Sequence, residues 1–200
     1  VWIDHDRAQI VTGFYRSNEG RHSVPVMRAL NFREICERKT RYLVQDGLIV
    51  GERGIAPRRV PTYPEVACHS LEDLRALDCQ ERIPYHVSQE TLDVYEKEII
   101  PYWRGRSMRD KLFAQLDEHW QDCYGAGLFT EYMEQRAPGA ASLDDTFYHM
   151  GLRDAQDAIN RRMDALDFMN DPEATAKREQ YKAMVIACDA MILYAGRYAE

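Results

Sequence analysis

Apolar and polar positions alternate along most of this chain with the period of an amphipathic helix. Apolar residues three or four positions apart fall on one face of a helix, because an α-helix makes one turn every 3.6 residues. The spacing predicts helices over residues 4–16, 26–43, 70–77, 89–100, 144–169 and 171–200, with another helix after Ser107. The predicted fold is therefore mainly α.

The last predicted helix carries the longest apolar stripe. Pro172 follows Asp171 at its start, an order that suits a first helical turn. The stripe consists of Tyr181, Met184, Val185, Cys188, Met191, Ile192 and Ala195. The helix over residues 144–169 is expected to cover part of it as an antiparallel hairpin. Because the predicted helix is still running at Glu200 without a glycine stop, we expect the native polypeptide to continue.

Turn and cap signals divide the rest of the chain. Residues 47–64 hold two glycines at the ends of an apolar triplet (48–50) and then three prolines, which predicts an extended loop with at most one short strand. Ser88 is a predicted N-cap. Ser107, with Asp110 three positions later, predicts a weak capping box.

Composition excludes several classes of protein. The 200 residues are 45% hydrophobic and 30% charged, which fits a globular region with solvated helix faces. The net charge is −7, and no segment of the sequence contains a cluster of Lys and Arg. Because phosphate binding needs concentrated positive charge, no nucleic-acid partner is expected. No apolar run reaches the length of a membrane span, and no signal peptide is visible. Five cysteines without C-x-x-C spacing indicate reduced thiols and a cytoplasmic location.

Most candidate sites are expected to be structural. The three residues Asp4, His5 and Asp6 suggest a metal cluster, but neighbouring helical side chains diverge, so a surface position is expected. Adjacent Cys68 and His69 suggest a nucleophile and base, yet neighbours in sequence rarely reach each other. The other histidines lack metal-ligand spacing, so no metal site is predicted.

Three groups of polar and aromatic residues remain. One is Tyr102, Trp103, Arg104 and Arg106, at the point where Pro101 should break a helix. The second is Glu131, Glu134 and Arg136, which share one turn, and the third is Tyr132 beside them. A buried ion-pair network that fixes helix ends is the favoured interpretation from the residues alone. The wall of a ligand cavity is the alternative.

Eight segments in order resemble the N-terminal region of the pyruvate formate-lyase-like glycyl radical enzymes, and within them the trans-4-hydroxyproline dehydratase branch. They are DGLIVGE (46–52), PTYPE (61–65), CHSLEDL (68–74), VS (87–88), IIPYW (99–103), GLFTEYMEQRAPG (127–139), ALDFMNDP (165–172) and ACDA (187–190). The resemblance implies the helical N-terminal part of an α/β barrel. It divides the chain into helices (1–45), an extended loop (46–70), helices with a cavity motif (71–140) and a helical hairpin (144–200).

The resemblance also implies a radical mechanism. In such anaerobic enzymes an activase that uses S-adenosylmethionine installs a radical on a backbone glycine, which passes to a cysteine that abstracts hydrogen from a small substrate. Family members are typically homodimers. The implied cavity residues here are Phe129, Tyr132, Glu134 and Arg136. No catalytic residue and no bound cofactor are expected in these 200 residues, since the cysteine loop and the glycine loop of the family are both absent.

Three positions depart from the family pattern. Ala140 and Ala141 stand where the family usually has His and Thr, and Tyr132 stands where the hydroxyproline branch tends to have Phe. The leading hypothesis is an N-terminal portion of a glycyl radical lyase or dehydratase, inactive by itself. The alternative is a free-standing helical binding protein derived from such an enzyme.

Overall fold

The computed structural model describes residues 1–43, 52–79, 81, 85–128 and 146–199, which are mainly helical as the sequence predicts. The chain starts with a strand, β1 (Trp2–Asp4), which pairs in parallel with β2 (Arg59–Pro61). On the other side of β1, the Ile3 amide donates to the His86 carbonyl at 2.9 Å. Helix α1 (Asp6–Asn18) therefore begins two residues later than predicted. The strand predicted at 48–50 lies outside the described residues.

Helix α2 (Val24–Arg38) lies between α1 and the last helix of the chain. Pro25 occupies its first turn, where a missing N–H costs nothing. The prediction that this helix reaches residue 43 is wrong, because α2 ends at Arg38. The guanidinium of Arg197 instead binds the carbonyls of Cys36 and Lys39 at 2.6 and 2.9 Å, which satisfies the end of the helix.

Helix α3 (Leu71–Asp78) opens with a capping box made by Ser70 and Asp73. Helix α4 (Gln89–Val94) is capped by Ser88, as predicted, and runs through a π-helical turn (Tyr95–Ile99) into α5 (Ile100–Trp103). The expectation that Pro101 breaks the helix is wrong. In the wider turn the Ile100 amide donates to Tyr95, five residues back, and this geometry accommodates a proline that has no N–H.

Among the described residues, two apolar clusters form the core. The larger one joins β1, α1, α3 and α4–α5 and contains Ile3, Ala8, Val11, Leu74, Tyr95, Ile99 and Trp103. The smaller one lies between α2 and the last helix and contains Val26, Ala29 and Ala183, with Leu30 and Ile186 packed against them. The second cluster brings together residues about 150 positions apart, which no local pattern specifies.

Helices α6 (Met108–Phe113) and α7 (Glu118–Gly125) come after α5 in the chain. Ser107 caps α6, since its hydroxyl accepts from the Asp110 amide at 3.0 Å. The reciprocal half of the predicted capping box does not form. The Asp110 carboxylate accepts from the Gly105 amide at 2.9 Å instead.

The last part of the described chain contains α8 (Thr146–His149), α9 (Leu152–Asp164) and α10 (Ala174–Ala199). The prediction of one continuous helix over residues 144–169 is wrong. The chain leaves helical geometry at Met150 and restarts at Gly151, whose amide donates to the Asp154 carboxylate at 3.0 Å. Helix α9 packs along α10, and α2 packs along a second side of α10. None of the helices in the described ranges is both long and apolar enough to cross a membrane.

Candidate functional site

The residues predicted to line a cavity, Phe129, Tyr132, Glu134 and Arg136, lie outside the described residues. The structure does describe the end of the helix that leads to them. The Leu128 amide donates to the Cys123 carbonyl at 3.1 Å, and the Gly127 amide donates to the Tyr124 carbonyl at 2.9 Å. With Gly127 at φ 73°, these two bonds form a Schellman motif. The direction in which the chain leaves α7 is therefore set by glycine.

Arg109 fixes α6 to α7. Its guanidinium donates to the Tyr124 hydroxyl at 2.9 Å and lies 5.5 Å from the centre of the Phe113 ring. The Phe113 and Tyr124 rings meet edge to face at 4.7 Å. Charge–ring contacts of this kind add to the aromatic packing, so the two short helices are held as one unit.

Two backbone hydrogen bonds attach this unit to the core. The amides of Met108 and Arg109 donate to the carbonyls of Glu65 and Val66 at 3.0 and 2.9 Å. These bonds link the start of α6 to the segment that follows β2. The position from which residues 129–139 begin is thus determined by the core.

The segment after β2 is held by a charged network that was not predicted from sequence. Arg7 donates to both carboxylate oxygens of Glu65 and, at 3.1 Å, to the Thr62 carbonyl. Its guanidinium also lies 4.1 Å from the centre of the Tyr63 ring. A two-pronged arginine–carboxylate pair fixes geometry more firmly than a single contact. The PTYPE segment (61–65) contains the residues that Arg7 contacts. Arg7 itself lies 55 or more positions earlier in the sequence than these partners, so no local pattern links them.

Tyr95 completes the attachment from the other side. Its hydroxyl donates to the Thr62 hydroxyl at 2.5 Å in the interior. Burial raises the pKa of the Tyr95 hydroxyl above its ordinary value, which keeps the group protonated and able to donate. This contact is structural, because it fixes the backbone that in turn positions α6.

Cys68 and His69 do not form a catalytic pair. Burial raises the pKa of the Cys68 thiol to about 12, and the charges of Asp110 and Asp73 act in the same direction. Burial lowers the pKa of His69 below its ordinary value, which favours the neutral imidazole. The Cys68 sulfur instead contacts the His69 carbonyl at 3.8 Å. A thiol held in its neutral form is a poor nucleophile.

The group around Trp103 has a structural role. The buried Trp103 indole donates to the Thr12 hydroxyl at 2.8 Å, and its ring meets that of Tyr102 edge to face at 5.1 Å. Arg106 lies 4.9 Å from the centre of the Tyr102 ring and pairs with Glu19. These contacts join α5 to α1, and the Arg106–Glu19 pair among them is exposed.

The acidic start of the chain is more buried than its sequence suggested. Asp4 is 3% exposed, and its carboxylate accepts from the amides of Ile55 and Asp6 at 3.3 and 3.2 Å. The expected surface position is therefore wrong for Asp4, because this residue ends a buried strand and is not part of a helix. His5 contacts Thr91 at 3.0 Å. Within the described ranges, no group of three His, Cys, Asp or Glu residues is arranged to hold a metal ion.

The comparison with known proteins agrees with the fold. The sequence matches the pyruvate formate lyase-like family over residues 1–200. It is 43% identical to trans-4-hydroxy-L-proline dehydratase of Clostridioides difficile over 198 residues, which are 99% of this chain and 25% of that protein. It is 28% identical to isethionate sulfite-lyase of Oleidesulfovibrio alaskensis over 211 residues, again 99% of this chain and 25% of the relative.

Solved structures give the same result. The structure of the C. difficile hydroxyproline dehydratase with trans-4-hydroxy-L-proline bound has a TM-score of 0.90 and covers 98% of this chain and 25% of that one. A glycyl radical enzyme of Archaeoglobus fulgidus has a TM-score of 0.87 at 22% identity over 100% of this chain and 26% of that one, a similarity of fold.

The helical arrangement described above is that of the N-terminal quarter of glycyl radical enzymes. The chain belongs to the pyruvate formate lyase-like family. Within it, the chain is homologous to the N-terminal quarter of glycyl radical dehydratases, and it spans about a quarter of the length of the curated relatives it matches.

Proposed function

We propose that this chain is the N-terminal segment of a glycyl radical dehydratase or lyase that breaks a C–O, C–C or C–S bond in a small substrate. The carrying observation is the 43% identity to trans-4-hydroxy-L-proline dehydratase over 99% of the chain. Dehydration of a hydroxyproline is accordingly the first reaction to test. The isethionate sulfite-lyases, at 28% identity, make C–S cleavage the second.

The radical chemistry belongs to parts of the protein outside these 200 residues. None of Cys36, Cys68, Cys79, Cys123 and Cys188 lies in the loop sequence that carries the family's radical cysteine. An activase that uses S-adenosylmethionine would install the radical on a glycine further along the polypeptide. This segment alone is therefore inactive, and its role is to enclose the barrel and contribute to the substrate cavity.

Phe129, Tyr132, Glu134 and Arg136 are the proposed cavity residues. The glycine-terminated end of α7 and its attachment to the core support this role, because a cavity wall must begin from a fixed point. Tyr132 brings a hydroxyl that can bind a polar substrate group. Ala140 leaves more space than the histidine usual in the family, so the substrate contacts at this position differ from those of hydroxyproline dehydratases.

The organisation proposed from the sequence is helices over 1–45, an extended loop over 46–70, helices with the cavity motif over 71–140 and a helical hairpin over 144–200. The whole protein would act as an anaerobic, cytoplasmic homodimer with its activase as a transient partner. These properties follow from the family rather than from any contact in this chain.

The test is activation of the full-length polypeptide under anaerobic conditions. We expect a carbon-centred radical signal by electron paramagnetic resonance after incubation with the activase and S-adenosylmethionine. Trans-4-hydroxy-L-proline and isethionate should then be offered separately, with product identified by mass spectrometry. A protein that gains no radical, or a native chain that ends near residue 200, would contradict the proposal and favour a helical binding protein.

Two substitutions test the cavity. Ala140→His restores the residue usual in the family and should increase turnover of trans-4-hydroxy-L-proline relative to the unaltered protein. Tyr132→Phe removes only the hydroxyl and serves as the matched variant. If neither changes the preference among substrates, these positions do not line the cavity. The amplitude of the radical signal controls for activation, since neither residue is proposed to carry the radical.

A further inference from the structure

A polar cavity lies between the start of the chain and the segment that leads into β2. Its volume is about 220 Å³, below the range of roughly 300–1,000 Å³ that is usual for drug-sized ligands. The lining comes from β1, α1, α4 and the segment 55–59. It includes the charged residues Asp4, Arg59 and Glu90 and the apolar residues Ile3 and Ile55. A cavity of this size and polarity suits a small polar molecule.

Asp4 brings to this cavity a buried carboxylate without a cation. The residue is 3% exposed, and its oxygens accept from the backbone amides of Ile55 and Asp6. None of the ion pairs among the described residues includes Asp4. Buried charges in proteins are normally paired, and burial raises the pKa of this carboxyl above its ordinary value. A cationic group in the cavity would favour the charged form of Asp4.

Arg59 brings a positive charge without an acceptor. In the part of the chain that the structure describes, its guanidinium makes no hydrogen bond or ion pair and lies 5.1 Å from the centre of the Trp2 ring. Trp2 and Arg59 are partners in the parallel register of β1 and β2. Asp4 lies two positions further along β1 and therefore on the same face. Two opposite charges thus border one cavity without neutralising each other.

The backbone before β2 holds Arg59 in this position. Arg58 has φ 62°, in the left-handed region that residues other than glycine rarely adopt, and its carbonyl accepts from the Trp2 amide at 2.8 Å. A Cβ at Gly54 would overlap the Arg59 carbonyl oxygen and lie 2.7 Å from Oδ2 of Asp4. Glycine is therefore needed for the segment to approach Asp4 so closely. Strained backbone that its surroundings maintain clusters at functional sites.

We propose that this cavity binds a small aliphatic amino acid as its zwitterion, with the ammonium group on Asp4 and the carboxylate on Arg59. A guanidinium forms paired hydrogen bonds with a carboxylate. Asp4 and Glu90 would repel a ligand that carries a negative charge alone, and Arg59 would repel one that carries a positive charge alone. A ligand with both charges satisfies the two sides together. Ile3 and Ile55 supply apolar surface for a short side chain.

The test is calorimetric titration of the full-length polypeptide, without activation, with three matched compounds. L-Valine carries both charges, 3-methylbutanoate lacks the ammonium group, and isobutylammonium lacks the carboxylate. We expect L-valine to bind at least about 10-fold more tightly than either of the others, because each of them lacks one charge-assisted contact. Equal binding of 3-methylbutanoate or of isobutylammonium overturns the proposal, and so does an absence of L-valine binding.

Substitutions at the two charges locate the binding. Arg59→Gln and Asp4→Asn should each weaken the binding of L-valine at least about 10-fold. The control Arg21→Gln changes an exposed arginine outside the cavity lining and should leave the binding unchanged. Binding that survives Arg59→Gln lies elsewhere in the protein and overturns the proposal. If Asp4→Asn fails to fold, Arg59→Gln decides alone. Radical formation is not needed for these titrations, so failure of the proposed activity is seen separately.

Discussion

Trp103 shows how a single side chain joins distant parts of this fold. Its indole donates to Thr12, and the Thr12 hydroxyl donates to the Ala8 carbonyl at 2.6 Å. All three groups lie in the interior, where each donor needs an acceptor. The Thr12 hydroxyl therefore both accepts from α5 and donates within α1.

Replacing Thr12 with valine tests that link. Thr12→Val keeps the shape but leaves the buried indole N–H without its acceptor, which should lower the free energy of unfolding by about 1–3 kcal/mol. Thr12→Ser keeps the hydroxyl and should cost about 1 kcal/mol or less for the lost methyl group. Denaturant unfolding followed by tryptophan fluorescence measures both. Equal losses for the two variants would show that the hydrogen bond contributes little.

Asp4 gives stability a pH dependence of a particular sign. Burial raises the pKa of its carboxyl above the ordinary value, in spite of the amide donors from Ile55 and Asp6. A carboxyl whose pKa is higher in the folded state favours folding when it is protonated, and this contribution is lost as the pH rises through the folded-state pKa.

The neutral variant Asp4→Asn isolates this effect. From about pH 4 to about pH 7, the free energy of unfolding of the unaltered protein should fall relative to that of Asp4→Asn. The measurement is the difference in thermal midpoint between the two proteins at each pH. A difference that grows in favour of Asp4 as the pH rises would mean that the amide bonds outweigh the desolvation of the carboxylate.

At the scale of elements, short helices are positioned by their ends. The hydroxyls of Ser70, Ser88 and Ser107 each accept from the amide three residues later, and Gly127 ends α7. Helices of six to eight residues are too short to be stable alone. Their caps and their attachment to the core therefore determine where they lie.

Among these caps, we expect the substitution of Ser107 to affect stability most, because Ser107 is fully buried between α5 and α6. Ser107→Ala should lower the free energy of unfolding by about 0.5–2 kcal/mol. Ser107→Gly should lower it by only a few tenths of a kcal/mol, as glycine does at other N-cap positions. Chemical denaturation of the two variants checks the order. A larger loss for glycine than for alanine would indicate that packing of the Ser107 side chain, and not its hydrogen bond, is what matters.

At the scale of the whole molecule, α10 contacts two neighbouring helices and still presents an exposed apolar side formed by Met184, Cys188, Met191 and Ala195, which we call the Met184 stripe. Helix α2 covers it through residues far away in sequence, and α9 covers it as the preceding helix. The chain spans about a quarter of the length of its relatives, and this apolar side of α10 is exposed in it. We expect this to be visible when the segment is studied alone.

The isolated 200-residue chain should show no radical-dependent turnover and should bind a hydrophobic dye. Met184→Glu combined with Met191→Glu should reduce the dye fluorescence, because charges then replace the exposed stripe. Met169→Glu is the control, since Met169 is exposed but lies away from the stripe. Dye fluorescence that responds equally to both changes would mean that the stripe is not the main apolar surface of the isolated chain.

The sequence by itself determined the helical class, the caps at Ser88 and Ser107 and the family. Helix periodicity and capping involve residues three or four positions apart, so a local pattern is sufficient to predict them. The family followed from eight short segments in order. For the cavity, the sequence offers Phe129, Tyr132, Glu134 and Arg136, and these stay a prediction.

Only the tertiary structure decided the remaining features. The contact of Arg197 with Cys36 joins residues 161 positions apart, and the pairing of Arg7 with Glu65 spans 58. The burial of Asp4 and the α-to-π change at Tyr95 likewise depend on what packs against them. Such contacts produce no periodic pattern in the sequence. Their partners come from elements whose relative positions are set by the packing of the whole core.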